Sequence, residues 1–452
     1  MLTRFNHTWF HALVWLMLVF AVAPSVGRAA TAECETSLRA LVQAQNFPLA
    51  FHCAEQQFAD DPDNMDALLV MARAAQELGR VELAGNLAAQ ARANPLTKSQ
   101  RFAAYLISGV AQARQSNLIR AKILLYRASD FVQAEPELRV IRRTLNQIRS
   151  MSPWRFSAGL SVLPSTNING GSLHDTITLG GLEFVLDGDA KAQSGIAYSP
   201  FASVTHQRRV SARTIWENRV SVAGTFYDGR GRNEGNYSLT SGLRHTPETE
   251  RPMLVYGYIR YDQRFVADDI GGAIFDDYGV YYNQTTAGLE IHRNPDQTSA
   301  WKVYATFSDR ASDIWTDQNA QIATLGATYR MAMTPRLELA FGGYVQRTTG
   351  DGDLAAKAAN VSLGGTWNPE AVPFSFSGNL AYTHTEYTSI GFGYSEARVD
   401  DDVKLELSLT HDRLQFFGFK PTFGVAFSRD YSNLNRYDTQ NAQVFTRLSV
   451  AF

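Results

Sequence analysis

From Trp154 to Phe452, polar and apolar residues alternate in segment after segment. In Asp402 to His411, Val403, Leu405, Leu407 and Leu409 fall on one face, and Lys404, Glu406, Ser408 and Thr410 on the other. Pro335 to Arg347 repeats the pattern, with Leu337, Leu339, Phe341 and Val345 opposed to Arg336, Glu338, Tyr344 and Gln346. Successive side chains of a strand point to opposite faces, so a period of two predicts strand rather than helix. One face is long and aromatic-rich, the other polar and charged. That pairing predicts strands with lipid on one side and a wet lumen on the other, as in a transmembrane β-barrel. The last strand, Asn441 to Phe452, sets Val444, Leu448, Val450 and Phe452 on one face. These four are the expected insertion signal, to be read by a barrel assembly machinery.

The alternation predicts strand cores at 154–165, 195–207, 213–226, 236–245, 251–263, 278–293, 299–309, 319–331, 335–347, 356–368, 373–387, 398–411, 418–430 and 441–452. Fourteen is even, as a closed antiparallel single-chain barrel requires. Thr176 to Leu186 also alternates; it is assigned to an outer excursion within the first long loop, since counting it would make the number odd. The even-to-odd links are short and turn-rich: Thr246-Pro247, Asn294-Pro295-Asp296, Thr334-Pro335 and Asn368-Pro369. The odd-to-even links, such as Pro164 to Ser194 and Val266 to Asp277, are longer. Short periplasmic turns and long outer loops are the usual asymmetry, so both ends of the barrel segment are expected in the periplasm. Trp301, Phe374, Phe376, Tyr382, Phe423 and Phe427 are candidates for the interfacial aromatic girdles.

Between Glu33 and Ser150 the period becomes helical and an internal repeat appears. Phe47, Val81 and Leu118 begin corresponding helices, followed at one offset by Ala50, Ala84 and Ala121, then by Ala54, Ala88 and Leu125. The spacings, 34 and then 37 residues from position 47 to 81 to 118, fit the tetratricopeptide period. Met65 to Pro95 is the best unit: Leu68, Met71, Ala72, Ala75, Gly79, Val81, Ala84, Ala88 and Ala91 take its large and small positions. Small residues let two helices approach closely, and Gly79 supplies the turn between them. An ordinary helical bundle is the alternative. Either needs stacked neighbours, and a curved solenoid face suits peptide binding, so a client-binding surface is expected somewhere within 33–150. Arg139, Arg142, Arg143 and Arg149 crowd the last helix; they suit a solvated face, or contact with acidic clients or anionic lipid head groups.

Composition adds little. A hydrophobic content of 45% with 19% charged residues suits a soluble protein or a barrel, and the net charge of -2 offers no footprint for nucleic acid. After residue 30 no apolar run is long enough for a membrane helix, so any span must be made of strands. The N-terminus changes the picture more. Arg4, the apolar run Ala12 to Val22, Pro24 and Ala30-Thr31-Ala32 read as a secretory signal peptide over 1–32. Glu33 departs from the small residue that a lipidation motif wants before Cys34. The two cysteines, Cys34 and Cys53, favour a disulfide in an oxidising periplasm, with two buried free thiols as the alternative.

Catalytic patterns are missing. There is no G-x-S-x-G elbow, no H-E-x-x-H and no Walker loop. Gly342-Gly343 sits mid-strand, where close packing or bending is the simpler reading. His384, between Thr383 and Thr385, invites an outer-membrane lipase reading, yet no Ser–His constellation follows from spacing. Asp400 to Asp402, and Asp268, Asp269, Asp276 and Asp277, have the chemistry to hold a divalent cation, but solvated or lipopolysaccharide-facing loops explain them more simply. No catalytic residue, metal site or cofactor is therefore expected, and the protein is not expected to be an enzyme.

Ser152-Pro153-Trp154-Arg155-Phe156, leading to Leu163-Pro164-Ser165-Thr166-Asn167-Ile168-Asn169, resembles the barrel-entering strand and Asn-rich loop of the surface lipoprotein assembly modifier family. Ile177, Gly180 and Gly181 are similar to that family's first outer loop. The resemblance implies an N-terminal α-helical tetratricopeptide-like solenoid followed by a 14-stranded antiparallel transmembrane β-barrel. Its divisions here would be 1–32 signal peptide, 33–150 periplasmic helical domain and 151–452 outer-membrane barrel. It implies delivery of a surface lipoprotein or related secreted client to the cell surface, with outer-membrane lipid as surroundings and no nucleic acid as partner. A passive outer-membrane porin and an exopolysaccharide export channel are the rival expectations.

Overall fold

The computed structural model describes residues 34, 37–188, 190–228, 233–249, 253–267, 278–296, 298–312, 319–350, 354–411, 414 and 418–451. The expected signal peptide, Asp268, Asp269, Asp276, Asp277 and Phe452 lie outside the described residues. The chain divides into two compact units, Met1–Ala93 and Asn94–Phe452.

The first unit holds α1 (Leu38–Gln43), α2 (Phe47–Asp60), α3 (Met65–Glu77) and α4 (Val81–Arg92). Ser37, Asn46 and Asn64 cap the first three, each side chain accepting from a backbone N–H three residues on. Helices α2 and α4 start at Phe47 and Val81, as the repeat predicts. The small residues at the repeated offsets, Ala50, Ala54, Ala72, Ala75, Ala84, Ala88 and Ala91, are fully buried. Gly79 turns α3 into α4 with φ +76°, a region where side-chain-bearing residues are strained. Cys34 and Cys53 form a disulfide with Cα atoms 5.3 Å apart, packed with Leu41, Ala50 and Ala74.

The second unit opens with α5 (Lys98–Arg114), α6 (Leu118–Ser129) and α7 (Glu135–Met151). A capping box of Thr97 and Gln100 starts α5. Helices α5 and α6 run so close that a Cβ on Gly109 would lie 2.8 Å from Leu125 Cγ. Phe102, Ala121, Leu125, Ile141, Leu145 and Ile148 form the shared core.

Only Ser152 and Pro153 separate α7 from β1 (Trp154–Ser165). A short hairpin follows, β2 (Thr176–Leu179) and β3 (Leu182–Val185), which turns on Gly180 and Gly181 with φ +57° and +80°. Then come β4 (Gly195–Arg209), β5 (Thr214–Asp228), β6 (Glu234–His245), β7 (Met253–Ala267), β8 (Tyr278–Arg293) and β9 (Ser299–Ala311). The rest are β10 (Ala320–Thr334), β11 (Leu337–Gly350), β12 (Ala356–Trp367), β13 (Phe374–Tyr387), β14 (Val399–His411), β15 (Lys420–Ser432) and β16 (Thr439–Ala451). Strands β1 and β4 to β16 close into a fourteen-stranded antiparallel barrel, with β1 between β16 and β4.

Alternation along this register sorts every strand into a lumen face and an outer face. Ser161, Thr225, Arg260, Arg310 and Arg447 share one lumen cavity. The outer face carries Leu325 and Val361, 55% and 62% exposed to the medium around the barrel. All six proposed girdle aromatics fall on that outer face. The Trp301–Tyr329 and Trp367–Phe376 cross-strand pairs stand towards the end where α7 joins, with Tyr382 towards the other. Asp400 to Asp402 lie in β14, as the predicted strand core 398–411 has them, and are not the loop charges that their chemistry suggested. Asp400 and Asp402 face the lumen and Asp401 the outside, each with polar neighbours that suit its face.

Candidate functional site: the barrel lumen and its two mouths

The helix-side mouth is built by α6, α7 and the ends of the first and last strands. The Tyr126 hydroxyl donates to Ala451 O at 2.8 Å, and Arg149 donates to the same carbonyl at 3.1 Å and to the Tyr126 hydroxyl at 3.0 Å. The end of β16 is thereby tied to two helices. Lys122, only 1% exposed, directs its ammonium to Trp154 O at 3.4 Å. Burial, and then the nearby Arg149 and Arg155 guanidiniums, pushes this ammonium below its usual range. A cavity of about 590 Å³ lies between the helices and the strand ends, lined among others by Arg142, Arg149, Phe201, Lys420 and Ser449. Beside it a second, about 520 Å³, is lined by Arg149, Arg155, Ser157, Thr205 and Arg219.

The lumen beyond is polar. A cavity of about 850 Å³ there is lined by Arg260, Arg264, Arg310 and Arg447 together with Glu234 and Asp262. Glu217 is nearly buried under Arg244, Arg219 and Gln207, with Arg244 Nε at 2.9 Å and Gln207 Nε2 at 2.6 Å. Carboxylates cluster on the opposite wall, where Asp402 faces Asp430 across β14 and β15, with Asp400 and Glu406 on the same face.

Among the described residues, the seam between β1 and β16 has the fewest paired residues of any in the barrel. It runs from Ser157 to Val162, lapses at Leu163 and Pro164, and resumes at Ser165. Proline has no N–H to give a neighbouring strand. Beyond the lapse, Asn441 Oδ1 accepts from Ser165 Oγ at 2.7 Å and from Asn167 N at 3.1 Å, and Asn167 Nδ2 donates to Gln440 O at 3.1 Å. A sequence profile for the surface lipoprotein assembly modifier matches residues 154–452. The chain belongs to that family. In this assembly modifier the Ser165 to Asn169 stretch, noticed in the sequence only as a family motif, closes the far end of the seam.

The first loop of the assembly modifier then folds back over the far mouth. Ser172 Oγ donates to Asn435 O, Leu173 N to Asp438 O and Gly180 N to Gly393 O. His174 Nε2 lies 2.7 Å from Asp438 Oδ2, and Arg429 pairs with the same carboxylate. Burial works against the Asp438 charge, but the Arg429 and His174 hydrogen bonds prevail and hold its carboxyl below the usual range. The excursion expected around Thr176 to Leu186 is thus an ordered hairpin tied to two other loops. His384 sits on the outer face near this end, its Nδ1 2.8 Å from Asp401 Oδ1, which also accepts from the Tyr382 hydroxyl. Among the described residues no cluster of three or more His, Cys, Asp or Glu has metal-holding geometry. Val444 and Leu448 of the expected insertion signal point outward from β16, 59% and 44% exposed, whereas Val450 is 5% exposed.

Among solved structures, the assembly modifier is similar to an anion-selective porin from Comamonas acidovorans, at 8% identity over 66% of this chain and 98% of that one, TM-score 0.37. It is also similar to CdiB from Escherichia coli, at 10% identity over 67% and 63%, TM-score 0.38. Its helices are similar to the first tetratricopeptide domain of Spaghetti, at 22% identity over 27% and 91%, TM-score 0.23. No curated protein matches the sequence. Family and barrel fold together assign the protein to the outer membrane.

Proposed function

We propose that this protein is an outer-membrane translocon that takes an exported lipoprotein, or a related secreted client, from the periplasm through its lumen to the cell surface. The observation that carries this reading is the helix-side mouth, where α6 and α7 are bonded to the end of β16 beside a cavity that shares Phe201 and Ser449 with the polar lumen cavity. A client held by helices there needs to travel only a short distance to enter. In this reading the helical segment stands in the periplasm, forms the mature N-terminus after cleavage near residue 32, and recognises the client. The barrel assembly machinery inserts the protein, and no catalytic group or cofactor takes part. With no ATP in the periplasm, client folding outside or binding energy drives transfer. Tethering to the mouth raises the client's effective concentration there.

The test is surface display of a client in cells that carry the full chain or a chain lacking residues 37–93. Display should fall while the barrel stays heat-modifiable. Undiminished display without residues 37–93 would remove client recognition from the first unit. The passive porin reading draws on the polar lumen alone. It gains ground if small solutes permeate freely and no client's display depends on the protein.

A further inference from the structure

The three cavities at the helix-side mouth and in the lumen adjoin one another through shared lining residues. The first shares Arg149, Ser157 and Ala451 with the second, and Phe201 and Ser449 with the lumen cavity. Along this path the charges are one-sided. The two mouth cavities are lined by Arg142, Arg149, Arg155, Arg219 and Lys420 and by no Asp or Glu. In the lumen cavity the carboxylates are already engaged, Asp262 with Arg260 and Glu234 with Arg264. Arg310 and Arg447 have neutral partners, Gln284 Oε1 at 3.1 Å and Ser161 Oγ at 3.3 Å. Glu217, on the strand that brings Arg219 to the second mouth cavity, is shared between Arg219 and Arg244, which leaves a net positive charge at that point. Among the described residues, no carboxylate pairs with Arg142, Arg155, Lys420, Arg310 or Arg447. Lys122, buried behind Arg149 and Arg155, adds a sixth cation to the mouth with a backbone carbonyl as its partner.

We propose that this basic path is an anion-binding uptake site that receives an acidic, extended stretch of the protein client. That the ligand is a protein rests on the translocon reading; that it is anionic rests on the side chains alone. Cations along a water-filled cleft with low-dielectric walls concentrate the field and draw in a polyanion faster than diffusion alone. An extended backbone advances about 3.3 Å per residue, so carboxylates on one chain can meet several of these cations at once. Farther along, Asp402 and Asp430 face each other on the opposite wall towards the far mouth, while Asp400 beside them is paired with Arg398. Asp402 and Asp430 would repel the same segment and so oppose tight retention there.

Full-length protein in detergent, titrated with fluorescently labelled poly-glutamate and poly-glutamine peptides, tests this by anisotropy. Poly-glutamate should bind, its affinity should fall as salt rises, and poly-glutamine should not bind. The triple variant R142Q/R155Q/K420Q should bind poly-glutamate about tenfold more weakly. K357Q, on the outer face, should bind as the wild type does, and heat-modifiability confirms that each barrel is folded. Unchanged affinity in the triple variant, or equal binding of the two peptides, overturns the proposal. So does tighter binding of polygalacturonate than of poly-glutamate, which would point to a polysaccharide. Client display in cells carrying the triple variant separates the two readings. Peptide binding lost with display unchanged leaves the anion site standing and removes its role in transport. Display lost with peptide binding intact overturns the site.

Discussion

The four helices of residues 38–92 and the barrel strands treat their apolar side chains in opposite ways. In the helices the fully buried positions are mostly small: Ala50, Ala54, Ala67, Ala72, Ala74, Ala75, Ala84, Ala88 and Ala91. Close helix approach is the aim, and a methyl group is as much as the interface holds. In the barrel the large apolar residues point away from the protein, and Leu325, Val345 and Val361 are each more than half exposed. Their burial is supplied by the bilayer, and the water-facing side of the same strands is filled with Ser, Thr, Arg and Glu. The same residue types therefore carry opposite penalties in the two regions, so substitutions can separate them.

The largest effect is expected from adjacent positions on β10. Leu325→Arg puts a charge near mid-membrane and should cost up to about 4 kcal/mol, whereas Thr324→Arg, facing the lumen, should cost under about 1 kcal/mol. Refolding into vesicles under denaturant measures both, and equal losses would mean that the face assignment is wrong. Next, replacing Cys34 and Cys53 by Ser should lower the stability of the first unit by about 3 kcal/mol through the lost loop constraint, and leave the barrel's heat-modifiability unchanged. A barrel that softens along with the first unit would deny their independence. Ala84→Leu should cost about 1–3 kcal/mol in the same unit by overpacking, read from its urea midpoint. Enlarging an outward residue such as Ala327 to Leu should cost almost nothing, because lipid yields. The smallest effect, about 1 kcal/mol, is expected from Tyr126→Phe, which removes one hydrogen bond to the end of β16. Hydrogen exchange of the β16 terminus should rise in that variant and stay constant at β10.

Much of this architecture is legible in the sequence because a single rule, the period, governs each region. Strands β1 and β8 occupy 154–165 and 278–293 as the alternation predicts, and α2, α4 and α6 start at Phe47, Val81 and Leu118. The acidic run Asp400 to Asp402 misleads because consecutive charges read as solvated loop. In a barrel, neighbouring residues meet different media, and Arg398, His384 with Tyr382, and Asp430 accommodate them one by one. The candidate site was far less visible. Its basic residues come from α7 and from strands scattered between β1 and β16, and only closure of the sheet collects them. The docking of Tyr126 and Arg149 onto Ala451 joins residues about three hundred positions apart, with no local pattern to announce it. For the same reason the compact units divide at residue 93, whereas the change of period falls near residue 150.

Passage through the lumen is tested most directly by catching a client inside the barrel. A photocrosslinking amino acid at Phe201, where the mouth cavity meets the lumen cavity, is compared with one at Val361 on the outer face, in cells exporting a displayed lipoprotein. A client that passes through the lumen crosslinks at position 201 and not at 361. Normal display with no client crosslinked at 201 would contradict passage through the lumen.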